Sequence, residues 1–189
     1  MKKIYVIVCA VSAIALASCG SSKPVSVVAE SGAKEVSVPC SDLFTDKDFF
    51  RGQGSGTSKD LNTAREKARM VANAELAGSV QTLIRQVGER YVNDAGQSPA
   101  DYGATYESLT RQVVEQTISN VRVACNKSTQ TKDGMYTVYL AVEAGKDEIF
   151  AAIDRAAAAD KKIETLYERE KFRATYNEEL EAFAKNRGR

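Results

Sequence analysis

The longest run of periodic apolar positions lies between Leu61 and Tyr91. Apolar residues recur there at steps of three and four, which places them on one face of an α-helix. Alanine dominates the first half of this face, and larger residues dominate the second half. Because small side chains let a helix approach a neighbour closely, we predict that the alanine half lies on a β-sheet. The positions of the face are Leu61, Ala64, Ala68, Val71, Ala72, Leu76, Val80, Leu83, Ile84, Val87 and Tyr91.

A short strand and a glycine-spaced exit from it precede this helix. The spacing of Gly52, Gly54 and Gly56 is typical of a strand end where the backbone passes close to a neighbour. The dinucleotide-binding fingerprint needs a further glycine at the position of Thr57, so the pattern does not predict a phosphate site. Thr57 and Asp60 predict a capping box at the start of the helix.

Downstream patterns predict a second helix and a hairpin. Ser98-Pro99-Ala100-Asp101 has the composition of a helix start, and the helix is expected to run to about Asn120. The segments Val121–Thr131 and Met135–Ala144 alternate apolar and polar residues, and Lys132-Asp133-Gly134 joins them, which predicts two antiparallel strands. We expect their apolar faces to lie under the first helix.

Two weaker patterns complete the expected fold. Glu35–Pro39 alternates and predicts an edge strand that Pro39 closes. Residues from Lys146 to Asn186 are helical throughout by pattern. The expected fold class is therefore α+β, with a small antiparallel sheet covered by long helices in the order β-β-α-α-β-β-α. The domain is expected to span residues 35–160, and residues 161–189 are expected to form an extended C-terminal helix.

This last helix carries an apolar stripe among alternating charges. Such a stripe needs a surface to cover it. One alternative is that the helix folds back along the first helix of the same molecule, and the other is that it binds another chain, as a self-associating pair or on an envelope partner. The candidate partner-binding residues of the stripe are Ile163, Tyr167, Phe172, Tyr176, Leu180 and Phe183.

The first 18 residues have the pattern of a lipoprotein signal peptide. Two lysines precede an apolar run that is short for a membrane span, and the run ends in Leu16-Ala17-Ser18-Cys19, a lipobox pattern. We expect lipidation of Cys19 and a flexible tether over residues 19–34. Gly20 is not the aspartate that retains lipoproteins in the inner membrane, so the expected location is the outer membrane, on its periplasmic face rather than the cell surface.

Processing at Cys19 leaves two cysteines, Cys40 and Cys125. Exported proteins meet an oxidising compartment, so we predict a disulfide between these two residues. Alternation places Val121, Val123 and Cys125 on one face of their strand, and Cys125 is expected to face the core.

Composition excludes several kinds of chemistry. The chain has no histidine, which removes histidine-based nucleophile pairs and histidine metal sites. The sequence predicts no catalytic residue, no metal site and no cofactor. Removal of residues 1–18 takes away two lysines and no acids and changes the net charge from +1 to −1. A near-neutral protein has no electrostatic basis for binding nucleic acid.

Two short segments carry a family resemblance. Phe50-Arg51-Gly52 and Ser58-Lys59-Asp60, followed by the alanine-spaced helix, resemble the small bacterial envelope lipoproteins named after a twenty-kilodalton antigen, the Lpp-twenty family. The similarity covers roughly residues 44–145. It implies an α+β domain on a lipid anchor with no established enzymatic chemistry, and it supplies no catalytic residues.

Three functions are compatible with these patterns. The leading hypothesis is a membrane-anchored envelope lipoprotein that is not an enzyme and binds another envelope protein or itself. The second is a binding module for a small envelope ligand or glycan, in which Tyr91, Tyr102 and Tyr106 line the site. The third, an enzyme that works without histidine, needs a Ser-Lys or acid pair that the sequence does not reveal.

Overall fold

An antiparallel sheet and a set of helices form the α+β fold that the sequence predicts. The computed structural model describes residues 36–94, 99–164 and 167–187. Residues Ser37–Arg189 form one compact unit. Its elements are β1 (Phe49–Ser58), α1 (Leu61–Asp94), α2 (Pro99–Ser119), β2 (Arg122–Gln130), β3 (Tyr136–Gly145), α3 (Lys146–Ala159), α4 (Lys161–Glu164) and α5 (Arg169–Arg187).

The three strands are arranged in the order β1-β3-β2, and both pairs are antiparallel. The predicted hairpin joins β2 to β3 and is confirmed. Its turn is closed by the Gly134 amide, which donates to the Thr131 carbonyl at 3.0 Å. Gly134 has a φ of 84°, a value that glycine adopts without steric cost and that suits the last position of a three-residue hairpin loop.

The glycines of β1 bring α1 into direct contact with the strand backbone. A Cβ atom on Gly54 would overlap the carbonyl oxygen of Ala68 and would lie 2.5 Å from the amide nitrogen of Ala72. These two atoms are the acceptor and the donor of one helical hydrogen bond. Gly52 and Gly56 stand in the same relation to the neighbouring bonds of the helix. The alanine half of α1 therefore lies on the sheet, as its composition predicts.

The second half of α1 packs among helices. Its larger side chains, such as Leu83 and Ile84, are fully buried, as are Leu109 and Val113 of α2. Phe172 of α5 belongs to the same cluster. The two halves of α1 thus share one continuous core, covered by the sheet at one end and by α2 and α5 at the other.

The predicted edge strand over Glu35–Pro39 is wrong for its described part. Residues 36–38 adopt no regular structure, and Pro39 and Cys40 form a turn in which Cys40 has a φ of 64°. Proline has no amide hydrogen and cannot donate a hydrogen bond to a neighbouring strand. The turn directs the chain across the face of the sheet opposite α1. Gln53 holds it there, because its side-chain amide donates to the carbonyl of Leu43 at 2.9 Å.

The predicted capping box is also wrong. Asp60 itself caps α1, since its carboxylate accepts from the Thr63 amide at 2.7 Å and from the Thr63 hydroxyl at 2.9 Å. Thr57 is still part of β1, and its hydroxyl lies 3.1 Å from the hydroxyl of Thr137 on β3. The strand is longer than expected, so Thr57 is used for pairing.

The chain from Lys146 onward is not one helix. Asp160 has an extended backbone, with φ −118° and ψ 111°, and ends α3. After the short α4, helix α5 returns antiparallel to α3, because Arg169 pairs with Asp154 while Arg173 pairs with Asp147. The break lets the chain reverse and cover its own core.

The alternation expected in β2 is interrupted by a bulge. Val123 pairs with Val142, whereas Cys125 pairs with the adjacent residue Ala141. The additional residue, Ala124, moves Cys125 to the face opposite α1. The prediction that Val123 and Cys125 share a core-facing side is therefore wrong, and Val123 is 45% exposed.

Candidate interaction surfaces

The predicted disulfide between Cys40 and Cys125 is confirmed. The Cα atoms of the two cysteines lie 5.8 Å apart, and 85 positions of sequence separate them. The bond fastens the segment before β1 to β2, across the face of the sheet that α1 leaves uncovered. Its two cysteines are thus used to hold the fold together.

An arginine that is largely shielded from solvent holds the rest of this segment. The Arg51 side chain is 14% exposed and donates to Glu143 at 3.0 Å and to Asp46 at 2.6 Å. Burial of Asp46 raises its pKa, but hydrogen bonds from Arg51 and from the amides of Asp48 and Phe49 outweigh burial and leave the pKa below its usual value. Each of these charges already has a partner, so the group stabilises the loop and offers no reactive carboxylate.

The apolar stripe of the C-terminal helix is buried within the same molecule. Its buried members are 4% exposed or less, and Tyr167 and Phe183 are partly buried against the core. The structure thus shows the first of the two alternatives, in which the helix folds back. The stripe is not available for a partner, so the partner-binding prediction for these residues is not carried forward. The buried members are Ile163, Phe172, Tyr176 and Leu180.

Two tyrosine hydroxyls secure this arrangement. Tyr167 donates to the Asp154 carboxylate at 2.6 Å, and Tyr176 donates to the Lys146 carbonyl at 2.9 Å. Burial, together with Asp154, raises the pKa of Tyr167 far above its ordinary value, and burial likewise raises the pKa of Tyr176. Both phenols stay neutral at physiological pH and serve as structural donors.

The structure describes the side chains of two of the three candidate ligand-binding tyrosines, Tyr91 and Tyr106. Tyr91 is 6% exposed, its hydroxyl accepts from the Glu168 amide at 2.9 Å, and its ring lies against Phe172 at 5.3 Å. Tyr106 lines a groove between α1 and α2, and Tyr91 is not among the described lining residues of that groove. The side chain of Tyr102 lies outside the described residues. A ligand site that uses all three therefore remains a prediction without geometric support.

The groove between α1 and α2 encloses about 550 Å³. Gly88 leaves room for the ring of Tyr106 against α1 in this groove, because a Cβ atom there would lie 3.0 Å from the ring. The sequence patterns did not predict the groove, although a glycine within the large-residue half of α1 is the signal that could have indicated it. Its rim mixes both charges, and its described lining includes Arg85, Glu89, Tyr106, Glu107, Thr110 and Arg111.

The outer edge of β1 is closed by other parts of the chain. The segment before the strand covers one end, where Thr45 Oγ1 accepts from the Arg51 amide at 3.0 Å. Side chains of α1 occupy two further backbone groups of the edge. Glu75 accepts from the Gln53 amide at 2.6 Å, and Lys67 donates to the Thr57 carbonyl at 3.2 Å. A closed edge cannot accept another strand.

The outer edge of β2 is different. Within residues 36–94, 99–164 and 167–187, no side chain or backbone group hydrogen-bonds the side of β2 that faces away from β3. Only Cys125 among its nine residues is partly buried, and the others are exposed. The sheet thus has one closed edge and one open edge.

In the described part of the chain, no group of three or more acidic or cysteine side chains is placed to hold a metal ion. None of the described helices combines the length and apolar character needed to cross a bilayer. The chain matches no protein-family model and no curated protein. The resemblance to the Lpp-twenty family therefore stays a hypothesis.

Proposed function

We propose that this protein is a membrane-anchored bacterial envelope lipoprotein whose domain binds another envelope component and does not act as an enzyme. The observation that carries the proposal is the Cys40–Cys125 disulfide in a chain that begins with a lipobox pattern. Disulfides persist in oxidising compartments such as the periplasm. The lipobox and the disulfide thus point independently to export.

The anchoring part of the proposal rests on Cys19. A diacylglycerol and an N-acyl chain on one cysteine exceed the two signals needed for stable membrane attachment. Gly20 follows in place of an aspartate, which favours the outer membrane, and no acidic run follows that favours surface export. We therefore assign the domain to the periplasmic face of that membrane, with residues 19–34 as its tether.

The interaction part rests on the available chemistry. The chain lacks histidine, and the Arg51 group is occupied in holding the segment before β1. Exposed surface is offered instead by the open edge of β2 and by the groove between α1 and α2. Both are suited to binding.

Radioactive palmitate labelling tests the anchor. The full chain is expected to take up label and to fractionate with outer membranes, and Cys19→Ser is expected to abolish both. Cys9→Ser is the matched control, because it changes the other cysteine of the leader and leaves the lipobox intact. Label in the Cys19→Ser variant would contradict the assignment.

Co-purification tests the interaction. The anchored chain is cross-linked in intact cells, purified from detergent-solubilised envelopes and compared with a variant in which Cys40 and Cys125 are serines. We expect a defined envelope partner with the native chain and less of it with the variant, because the disulfide holds β2 in place. Recovery of the chain alone from intact cells would contradict this part of the proposal.

A second candidate function is favoured by the groove. Its volume of about 550 Å³ and its aromatic and charged lining suit a small polar ligand such as a glycan. Chitotriose is a suitable probe. Binding in the groove is expected to shift the amide signals of Gly88 and Gly103, while that of Gly134 in the distant hairpin stays unchanged. Equal shifts at all three glycines, or none, would contradict this function.

A further inference from the structure

The open edge of β2 has a defined set of unpaired backbone groups. The Thr131 amide donates to the Met135 carbonyl at 2.9 Å, so the backbone of Thr131 faces β3. Positions that bond to the neighbouring strand alternate along an antiparallel pair. The backbone N–H and C=O groups of every second residue before Thr131 therefore also point toward β3. The backbone groups of the residues between them point outward, away from β3. The outward-facing residues are Asn126, Ser128 and Gln130.

This edge is long enough to pair with another strand. Its register with β3 is continuous from Cys125 to Gln130, because the bulge lies before Cys125. Six residues equal the usual length of a strand in globular proteins. The side chains of the outward-facing positions are small or polar and uncharged, so they do not obstruct an approaching backbone.

The charges of β2 itself are all positive. Arg122 and Lys127 lie on this strand, which has no acidic residue, and the turn after it carries Lys132 followed by Asp133. Arg122 is about half exposed, and its nearest carboxylate, on Glu148, lies 3.8 Å away. An extended segment that runs along this edge therefore meets positive charge.

The same charge disfavours a second copy as the occupant. The outward-facing residues are centred on Ser128, so two β2 strands that pair antiparallel about it bring Lys127 of one copy opposite Thr129 of the other. The two Lys127 side chains are then diagonal neighbours on the same face, within reach of each other. Like charges placed across a strand pair are destabilising, and edge lysines are a known protection against self-pairing. Carboxylates at alternate positions of a different strand are stabilising instead.

We propose that the edge of β2 between Cys125 and Gln130 binds an extended acidic segment of another envelope protein as a fourth strand of the sheet. Asn126, Ser128 and Gln130 supply backbone hydrogen bonds, and Lys127 and Arg122 pair with carboxylates of the added strand. The inference rests on the proposed function and specifies the chemistry of its partner.

Two synthetic peptides test the proposal. They share one alternating, β-prone sequence, and one carries three glutamates where the other carries three lysines. Each is titrated onto the full chain in detergent micelles, with binding followed by fluorescence anisotropy and by hydrogen exchange. The glutamate peptide is expected to bind at least tenfold more tightly and to slow exchange of the Asn126, Ser128 and Gln130 amides. Equal binding of both peptides would overturn the proposal.

Two variants separate backbone pairing from charge. Ser128→Pro removes an outward-facing amide, a change that edge strands tolerate, and is expected to weaken binding at least tenfold. Ser55→Pro at the edge of β1 is its matched control and is expected to leave binding unchanged. Lys127→Glu keeps the backbone intact and is expected to reverse the preference between the two peptides.

Three results would count against this occupant. Binding that neither Ser128→Pro nor Lys127→Glu alters would place the peptide elsewhere. A dimer of the native chain that Ser128→Pro dissociates would show a second copy on the edge. Failure of the peptides while palmitate labelling and co-purification succeed would overturn the acidic strand and leave the proposed function standing.

Discussion

Both halves of α1 bury an apolar face, but the first half does so with small residues and the second half with large ones. The first half contacts β1 through Ala64, Ala68 and Ala72, all fully buried, and the strand meets it with glycines. The second half is buried through Leu83 and Val87 among helices. In the first half backbones touch, and in the second half side chains interdigitate. The difference teaches that one continuous helix can require small residues at one end and large ones at the other, because each neighbour sets its own distance.

Removal of α5 is expected to have the largest effect, because it exposes the second half of α1 and also Phe50 of β1, whose ring lies 5.4 Å from that of Phe183. A chain that ends after Lys161 lacks Phe172, Tyr176 and Leu180, which are 2% exposed or less. Each buried side chain of this kind contributes about 1.5–3 kcal/mol, and a whole domain has only about 5–15 kcal/mol of stability. We expect the truncated chain to aggregate or to bind hydrophobic dyes. A folded monomer, shown by circular dichroism and light scattering, would contradict the cis packing of α5.

A side chain at position 54 is expected to disrupt the contact between β1 and the first half of α1. Valine there meets the backbone of Ala68 and Ala72, which cannot move aside without separating α1 from β1. The free energy of unfolding is expected to fall by more than about 4 kcal/mol. Gly88→Ala is the control from the second half, because its neighbour is the movable ring of Tyr106, and it is expected to change stability by less than about 1 kcal/mol. Equal costs in urea unfolding would refute the difference between the halves.

Truncation of a side chain is expected to destabilise the second half of α1 more than the first half, the opposite of the ranking for an added side chain. Leu83→Ala leaves a cavity among α1, α2 and α5 and is expected to cost about 3 kcal/mol. Ala68→Gly removes only a methyl group from the strand contact and is expected to cost about 1 kcal/mol through lower helix propensity. Urea unfolding of both variants measures the ratio. A larger cost for Ala68→Gly would show that the strand contact depends on that methyl group.

Protonation of Asp46 at low pH is expected to have the smallest effect on stability, and it acts on the sheet side of the molecule. The Asp46 carboxylate has a lowered pKa in the folded chain, so its contribution is complete above its ordinary value of 3.8 and is lost as the pH falls below that value. The side chain is about half exposed, so the contribution is about 0.5 kcal/mol after solvent screening. Asp46→Asn is expected to be less stable than the native chain at neutral pH and equally stable at about pH 2. A constant difference across this range would contradict the role of the charge.

Much of this comparison could be predicted from local spacing. The alanine series and the glycines of β1 indicated a helix close to a strand, and Asp133-Gly134 indicated the hairpin. The partnership of Cys40 and Cys125 followed from counting cysteines. These features depend on neighbours in sequence or on the elimination of alternatives, which is the information that a single sequence provides.

The features that sequence analysis missed depend on distant partners. The bulge at Ala124 was hidden because the alternation of Val121, Val123 and Cys125 continues unbroken in the sequence, while exposure of both faces of β2 leaves no burial that fixes its register. The break at Asp160 was hidden because helix-forming residues continue on both sides of it, and only the return of α5 onto α3 requires the interruption. The groove beside Gly88 and the open edge of β2 arise from what other elements leave uncovered, and no local pattern encodes that.

The contact between β1 and α1 also limits its own length. Two residues of a strand advance about 6.7 Å, whereas four residues of a helix advance about 6.0 Å. The strand and helix repeats therefore drift apart by about 0.7 Å at each successive contact between β1 and α1. After three contacts the accumulated offset is about 2 Å, comparable to the radius of an atom. The residue types change at that point: Phe50 replaces glycine on the strand, and Leu76 replaces alanine on the helix.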